Sequence, residues 1–138
     1  MTEPSVQGLL AESFRVLAAE LPAAWERFCA ALDGLAVEIA VDGERFTVRF
    51  VFRAATITTE TSRPAEARIE TTKATILDVL DARLSLHDAV MREALQLIAP
   101  LALLGPLHQG ILAYVHGGVR CPSFPSLLRR FRALSTQP

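Results

Sequence analysis

Few residues in this chain have side chains suited to chemistry, and the candidates cluster late. His108, Tyr114 and His116 share one long apolar stretch. Imidazole can take or give a proton near neutral pH, and a phenol can donate a hydrogen bond. On a helix, His108 falls within the stripe of Leu101, Leu104, Ile111, Leu112 and Val115, with His116 about 80° further round. Acid/base work on a hydrophobic metabolite is one reading of such a set. Hydrogen-bonded structure is the other. The two histidines are not a metal pair, because helical ligands recur every three or four residues as in HExxH, which is absent. His87 and Asp88 are neighbours and diverge on a helix.

Cys29 and Cys121 are the only cysteines and form no CxxC, so neither a zinc site nor a disulfide framework is suggested. Cys29 lies on an apolar helical stripe. Cys121 follows Arg120, a cation that favours a thiolate, but no histidine spacing makes a dyad. Walker loops, GxGxxG, GxSxG elbows and paired-carboxylate signatures are absent. The sequence therefore predicts no metal, no cofactor and no defined catalytic residue.

Charge is uneven although the totals balance, with 14 Lys+Arg against 15 Asp+Glu. That balance argues against nucleic acid as a partner. Every acidic residue lies at or before Glu93, and the tail carries only Arg120, Arg129, Arg130 and Arg132. These four could meet an anionic head group or an anionic membrane surface, or simply solvate an exposed helix.

The stretch that must be covered runs from Leu95 to Val119, without a charged residue. Leaving it in water costs roughly 25 cal/mol per Å² of apolar surface. Pro100, Gly105-Pro106, His108-Gln109-Gly110 and His116-Gly117-Gly118 break it into pieces too short for a spanning helix. A strand over Leu95–Ile98, then a helix opened by Pro100 and reaching about His116, fits better. Gly110, Ala113 and Gly117 form a small-residue strip suited to close backbone packing.

The elements that position this stretch follow from periodicity. Val6, Leu9, Leu10, Phe14, Leu17 and Leu21 step by three and four, predicting helix over 6–33 with an interruption at Pro22. Trp25, Phe28, Cys29 and Leu32 continue the stripe to Asp33-Gly34. The period then changes to two. Leu35, Val37, Ile39 and Val41 alternate with smaller or charged residues, and Asp42-Gly43 signals a tight hairpin. Phe46, Val48, Phe50 and Phe52 alternate with Arg45, Thr47, Arg49 and Arg53, which puts three rings on one face. Residues 55–61 read as a third strand, 62–66 as a turn, and 67–71 as a fourth strand. Helix returns at Thr72 with Ile76, Leu77, Leu80 and Leu84 on its buried side. Ser85 caps a short helix carrying Leu86, Val90 and Met91. The tail 123–134 is amphipathic, with Phe124, Leu127, Leu128, Phe131 and Leu134 on one face. It either caps the core or lies on an anionic bilayer. The N-terminus, Met1 to Ser5, lacks a basic-then-apolar leader, so a cytoplasmic location is expected.

The segments Ala67-Arg-Ile-Glu-Thr-Thr-Lys-Ala-Thr-Ile-Leu-Asp-Val-Leu-Asp81, Leu84-Ser-Leu-His-Asp-Ala-Val-Met91 and Leu95-Gln-Leu97 resemble the sterol carrier protein domain. The resemblance covers roughly residues 30–117. It implies a single α+β domain over residues 1–138, with a curved, mostly antiparallel five-stranded sheet covered by helices. It also implies an apolar tunnel holding a lipid, sterol, fatty acyl or similar molecule. On that reading Phe46, Phe50 and Phe52 and the closing-helix residues Leu103, Leu104, Leu107, Ile111 and Tyr114 are the candidate walls. The alternatives are a small enzyme using the same pocket, with His108, Tyr114 or His116 acting, and a module that docks a partner or a second copy. Oligomeric state is not legible in the sequence.

Overall fold

A computed structural model describes residues 5–59 and 64–134. The expected leader-free N-terminus, the end of the third strand and the start of the turn over 62–66 fall on residues outside those described. Two helices open the chain, α1 (Val6–Glu20) and α2 (Pro22–Leu32). Ser5 caps α1 by accepting from the Gly8 N–H at 3.0 Å. The Glu44 carboxylate accepts from the N–H groups of Val6 and Gln7 at 3.2 and 2.9 Å. An anion at a helix N-terminus satisfies otherwise orphaned donors, and here it ties α1 to the sheet. Pro22 begins α2, where its missing N–H costs nothing.

Strands β1 (Ala36–Val41), β2 (Glu44–Val51) and β3 (Ala54–Thr58) form antiparallel hairpins. Asp42 and Gly43 both take positive φ, 49° and 90°, as the predicted two-residue turn requires. Strand β4 (Ala67–Thr71) pairs parallel to β1, and β5 (Gln96–Ile98) pairs antiparallel to β4. The order β3-β2-β1-β4-β5 gives a mixed, mostly antiparallel, open sheet.

Register sorts the sheet into two unlike faces. Phe46, Ile39, Ile69 and Leu97 form one apolar row across four strands. On the other face Arg45, Arg68, Glu38 and Glu70 interlock, with Arg45–Glu38 at 3.0 Å, Arg68–Glu38 at 3.4 Å and Arg68–Glu70 at 3.3 Å. Partly exposed pairs of this kind add little stability. They do mark this face as solvent-facing, which leaves the apolar row for the helices.

The remaining helices are α3 (Lys73–Leu80), α4 (Leu86–Met91), α5 (Leu101–Gly118) and α6 (Phe124–Ala133). Thr72 and Ser85 cap α3 and α4 by accepting from Thr75 and Asp88 at 3.1 and 3.0 Å. Helix α5 runs unbroken through Pro106, as the helix expected from Pro100 to about His116 does. Its close partner is α2. A Cβ on Gly110 would sit 2.7 Å from Leu32 Cγ, and one on Gly117 would sit 2.9 Å from Ala24 Cβ. The small-residue strip is thus a backbone-to-helix contact. No helix among the described residues is long and apolar enough to cross a membrane.

One expectation fails at the end of β2. Phe52 does not join Phe46 and Phe50. It lies with Arg53 in the β2–β3 turn, at φ 49° and 65°, and is 89% exposed. The strand stops at Val51 because Asp33 accepts the Phe52 N–H at 3.2 Å and the chain reverses there.

Candidate functional site

The sheet's apolar row is not fully covered by side chains. Between it and the helices lies a partly open cavity of about 180 Å³. An engineered apolar cavity of roughly 150 Å³ binds benzene, so this space takes a ring or chain segment slightly larger than benzene. Its floor is Ile39, Val41, Phe46, Ile69 and Thr71. Helix α1 supplies Val6, Leu9, Leu10 and Ser13, and α6 supplies Phe124, Leu127, Leu128 and Phe131. Both sets have the spacing 0, 3, 4, 7, which places four side chains on one helical face. Ile76 and Leu80 of α3, Leu95, and Ile111 and Tyr114 of α5 complete the wall.

No lining residue is charged, and only Ser13, Thr71 and Tyr114 are polar. The Tyr114 hydroxyl lies 2.6 Å from Ser13 Oγ, and Ser13 Oγ donates to the Leu10 carbonyl at 2.7 Å. Thr71 Oγ1 donates to the Ala94 carbonyl at 3.0 Å. Burial pushes the Tyr114 phenol up to about 12. The hydrogen bond with Ser13 works the other way, and Cys121 adds a smaller upward push. A phenol held neutral this firmly is a poor proton donor at physiological pH.

The predicted wall is redistributed. Phe46, Ile111 and Tyr114 line the cavity. Phe50 is buried beneath α2, its ring 5.3 Å from that of Phe28. Leu107 is fully buried in the same core cluster, and Leu103 and Leu104 lie outside the lining. Phe52 is exposed in its turn. His108 is half-buried and His116 exposed, and neither reaches the cavity. The residues missed by sequence reasoning include those of α1, α3 and α6 and the floor residues of β1 and β4, above all Ser13. Its signal was a single hydroxyl inside the stripe that includes Leu9 and Leu10.

The tail arginines hold α6 in place. Arg130 pairs with Glu12 of α1, and Arg132 forks onto both Asp81 oxygens at 2.6 Å. Lys73 Nζ donates to the carbonyls of Arg132 and Leu134 at 3.0 and 2.5 Å, satisfying the exposed end of the helix. Glu20 accepts from the Ser123 N–H at 3.2 Å and its hydroxyl at 2.5 Å. Arg120 Nε donates to the His116 carbonyl at 3.0 Å, and Arg129 is exposed. Arg130 and Arg132 are thus engaged with the protein's own carboxylates.

Neither thiol is activated. Burial, then Asp33, raises Cys29 to about 11. Burial and Glu20 raise Cys121, with Arg120 opposing. Among the described residues no three His, Cys, Asp or Glu side chains gather as a metal site.

The same architecture occurs in solved structures. A structure described as UbiJ-SCP2, a ubiquinone synthesis protein, superposes with a TM-score of 0.57 at 14% identity, over 81% of this chain and 96% of that one. A conserved hypothetical protein of Thermus thermophilus, described as a possible sterol carrier protein, gives 0.57 at 19% identity over 99% and 96%. A crystal structure of sterol carrier protein 2 gives 0.54 at 21% identity over 80% and 95%. The fold is therefore of the sterol carrier protein type, as the sequence resemblance implied. No protein-family model and no curated protein matches the chain.

Proposed function

We propose that the chain binds, and in doing so carries, an apolar or weakly amphipathic small molecule in the cavity between its sheet and helices α1, α5 and α6. One observation carries this reading. A space of about 180 Å³ is walled almost wholly by hydrocarbon and holds no charged group. Apolar surface of that kind is stabilised by an apolar guest, and binding sites for small molecules commonly combine apolar walls with a few polar groups. Likeness to structures described as sterol carriers and as a ubiquinone synthesis protein supports a lipid-type ligand. A long lipid would seat only a ring or short chain segment inside and extend through the open side. His108 and His116 stand off the lining, so acid/base chemistry gains no support from the geometry.

Native mass spectrometry of freshly purified protein, followed by denaturing extraction, tests this. A retained, extractable apolar compound is expected. Protein that carries no such compound and takes up no neutral hydrocarbon-like probe would overturn the proposal.

A further inference from the structure

Helix α6 lies over the cavity as a strap, packed down at one end and tied at the other. Phe124, Leu127, Leu128 and Phe131 face the cavity. With residues about 100° apart on a helix, Arg130 and Arg132 flank Phe131 on either side, and Arg129 points away from the cavity. The two flanking arginines reach opposite rims. Arg130 pairs with Glu12 on α1, and Arg132 forks onto Asp81, the residue that caps the end of α3. Lys73, which opens α3, donates to the carbonyls of Arg132 and Leu134.

Different forces hold the two ends. At the start of α6, Cys121 and Phe124 are buried, and the Phe124 ring lies against Gly118, where an added Cβ would sit 2.5 Å from it. Glu20 accepts from both the N–H and the hydroxyl of Ser123. At the far end the ties are ion pairs within reach of water. The Arg130 and Glu12 side chains are 50% and 38% exposed, and those of Arg132 and Asp81 46% and 28%. Pairs this exposed contribute little and are screened by salt. The far end is therefore the one that lifts. Lifting it puts Leu128 and Phe131 into water, which keeps the open form a minority.

Resting on the binding role proposed above, we propose that α6 is a gate. Its C-terminal half swings off the cavity about residues 119–123, and the Arg130–Glu12 and Arg132–Asp81 pairs are its latches. A guest enters and leaves through the space that Leu128 and Phe131 vacate. Neither carboxylate lines the cavity, so the latches set the rate of exchange and leave the closed pocket unaltered. Affinity changes little so long as the closed form dominates.

Two measurements on the full chain test the gate, and the first needs no ligand. A detached helix of 10 residues is marginal in water, so a lifted α6 frays and its amides exchange with solvent. In Glu12→Gln with Asp81→Asn, amides from Leu128 to Arg132 should exchange roughly three- to tenfold faster than in the wild type at low salt, the ratio expected for two exposed pairs. Amides of α5 from Leu107 to Tyr114 should not change. Salt at about 0.5 M should bring the wild type toward the double variant and leave the double variant as it was. Arg129→Gln removes a cation from the outer face of the same helix and should alter nothing.

Stopped-flow binding of naphthalene, an uncharged ring that salt does not steer, reads the consequence. Its association and dissociation rates should rise together in the double variant, with Kd held within about twofold. Exchange in α6 that ignores both salt and the two substitutions would overturn the gate. Constant naphthalene rates alongside faster amide exchange would also overturn it, because the strap then moves without controlling entry, and the pocket stands. If naphthalene does not bind, the pocket reading and the gate fall together.

Discussion

The phenol of Tyr114 on α5 meets the hydroxyl of Ser13 on α1 at 2.6 Å, across 101 residues of sequence. That contact joins the closing helix to the first helix at the cavity wall, beside a cluster in which the Phe14 and Phe28 rings lie 5.9 and 5.4 Å from the Tyr114 ring. Burial is the main reason the phenol titrates near 12 rather than 10. The unfolded chain loses its phenolic proton first, so the contribution to stability is fully present below about pH 10 and is lost as pH rises toward 12. The chain has one tyrosine, so phenolate absorbance reports this group alone. A folded-state midpoint well above that of the urea-unfolded chain is expected. Between pH 9 and pH 11 the wild type should lose more stability than Tyr114→Phe; equal losses would contradict the assignment.

The same substitution should have opposite effects at two glycines of α5. At Gly105 nothing beyond its chain neighbours lies within 4 Å of an added Cβ. Gly105→Ala should therefore raise stability, by less than the helical cost of glycine of about 0.5–1 kcal/mol because the new Cβ also meets the ring of Pro106. At Gly117 the new carbon would sit 2.8 Å from Leu17 Cδ1 and 2.9 Å from Ala24 Cβ. Ala24 Cβ is fixed to its backbone and cannot rotate aside, so α2 and α5 must separate. Overpacking costs about 1–3 kcal/mol, more than the propensity gain, and Gly117→Ala should be destabilised. Urea midpoints of the two variants check the signs.

The β2–β3 turn stores strain that no packing requires. Phe52 and Arg53 both hold left-handed backbone, at φ 49° and 65°, and Phe52 is exposed. Left-handed conformations cost a non-glycine residue roughly 1–2 kcal/mol. Replacing the pair with Asn-Gly, the natural pair for this turn, should raise stability by about 1–2 kcal/mol and keep the N–H that bonds Asp33. Binding of an apolar probe should be unchanged, since Phe52 lies far from the lining in its turn. Loss of binding in this variant would return Phe52 to the site.

How far the sequence reaches is clearest at these positions. Period-two alternation placed Phe46 and Ile39 on one face, because cross-strand register follows from the hairpin at Asp42-Gly43. It overran at Phe52, because alternation does not mark where a strand ends. Side-chain capping by Ser85 was legible, being local. The phase of α5 was not. The helix is apolar nearly all round, so hydrophobicity does not choose a face. Gly110 and Gly117 do, by turning one side toward α2. The roles of α1 and α6 as walls depend on contacts such as Arg130–Glu12, separated by 118 residues, which no local period encodes.

Filling the cavity should separate binding from stability. Ile39 sits in the middle of the sheet's apolar row, and Leu127 belongs to the α6 face that lines the same space. Ile39→Phe with Leu127→Phe adds two rings where about 180 Å³ is open. Added bulk destabilises only where the interior is already full, at about 1–3 kcal/mol. Leu107, fully buried in the packed cluster beside Phe28 and Leu32, is the contrast. Leu107→Phe should lose that much stability and keep its affinity for an apolar probe. The double variant should keep or gain thermal stability and lose affinity at least about tenfold, because the guest's dispersion contacts are then made by the protein. Thermal melts and calorimetric titration of the two proteins settle the comparison. Equal destabilisation by both would mean that the space between sheet and helices is already packed, and the binding role would fall with it.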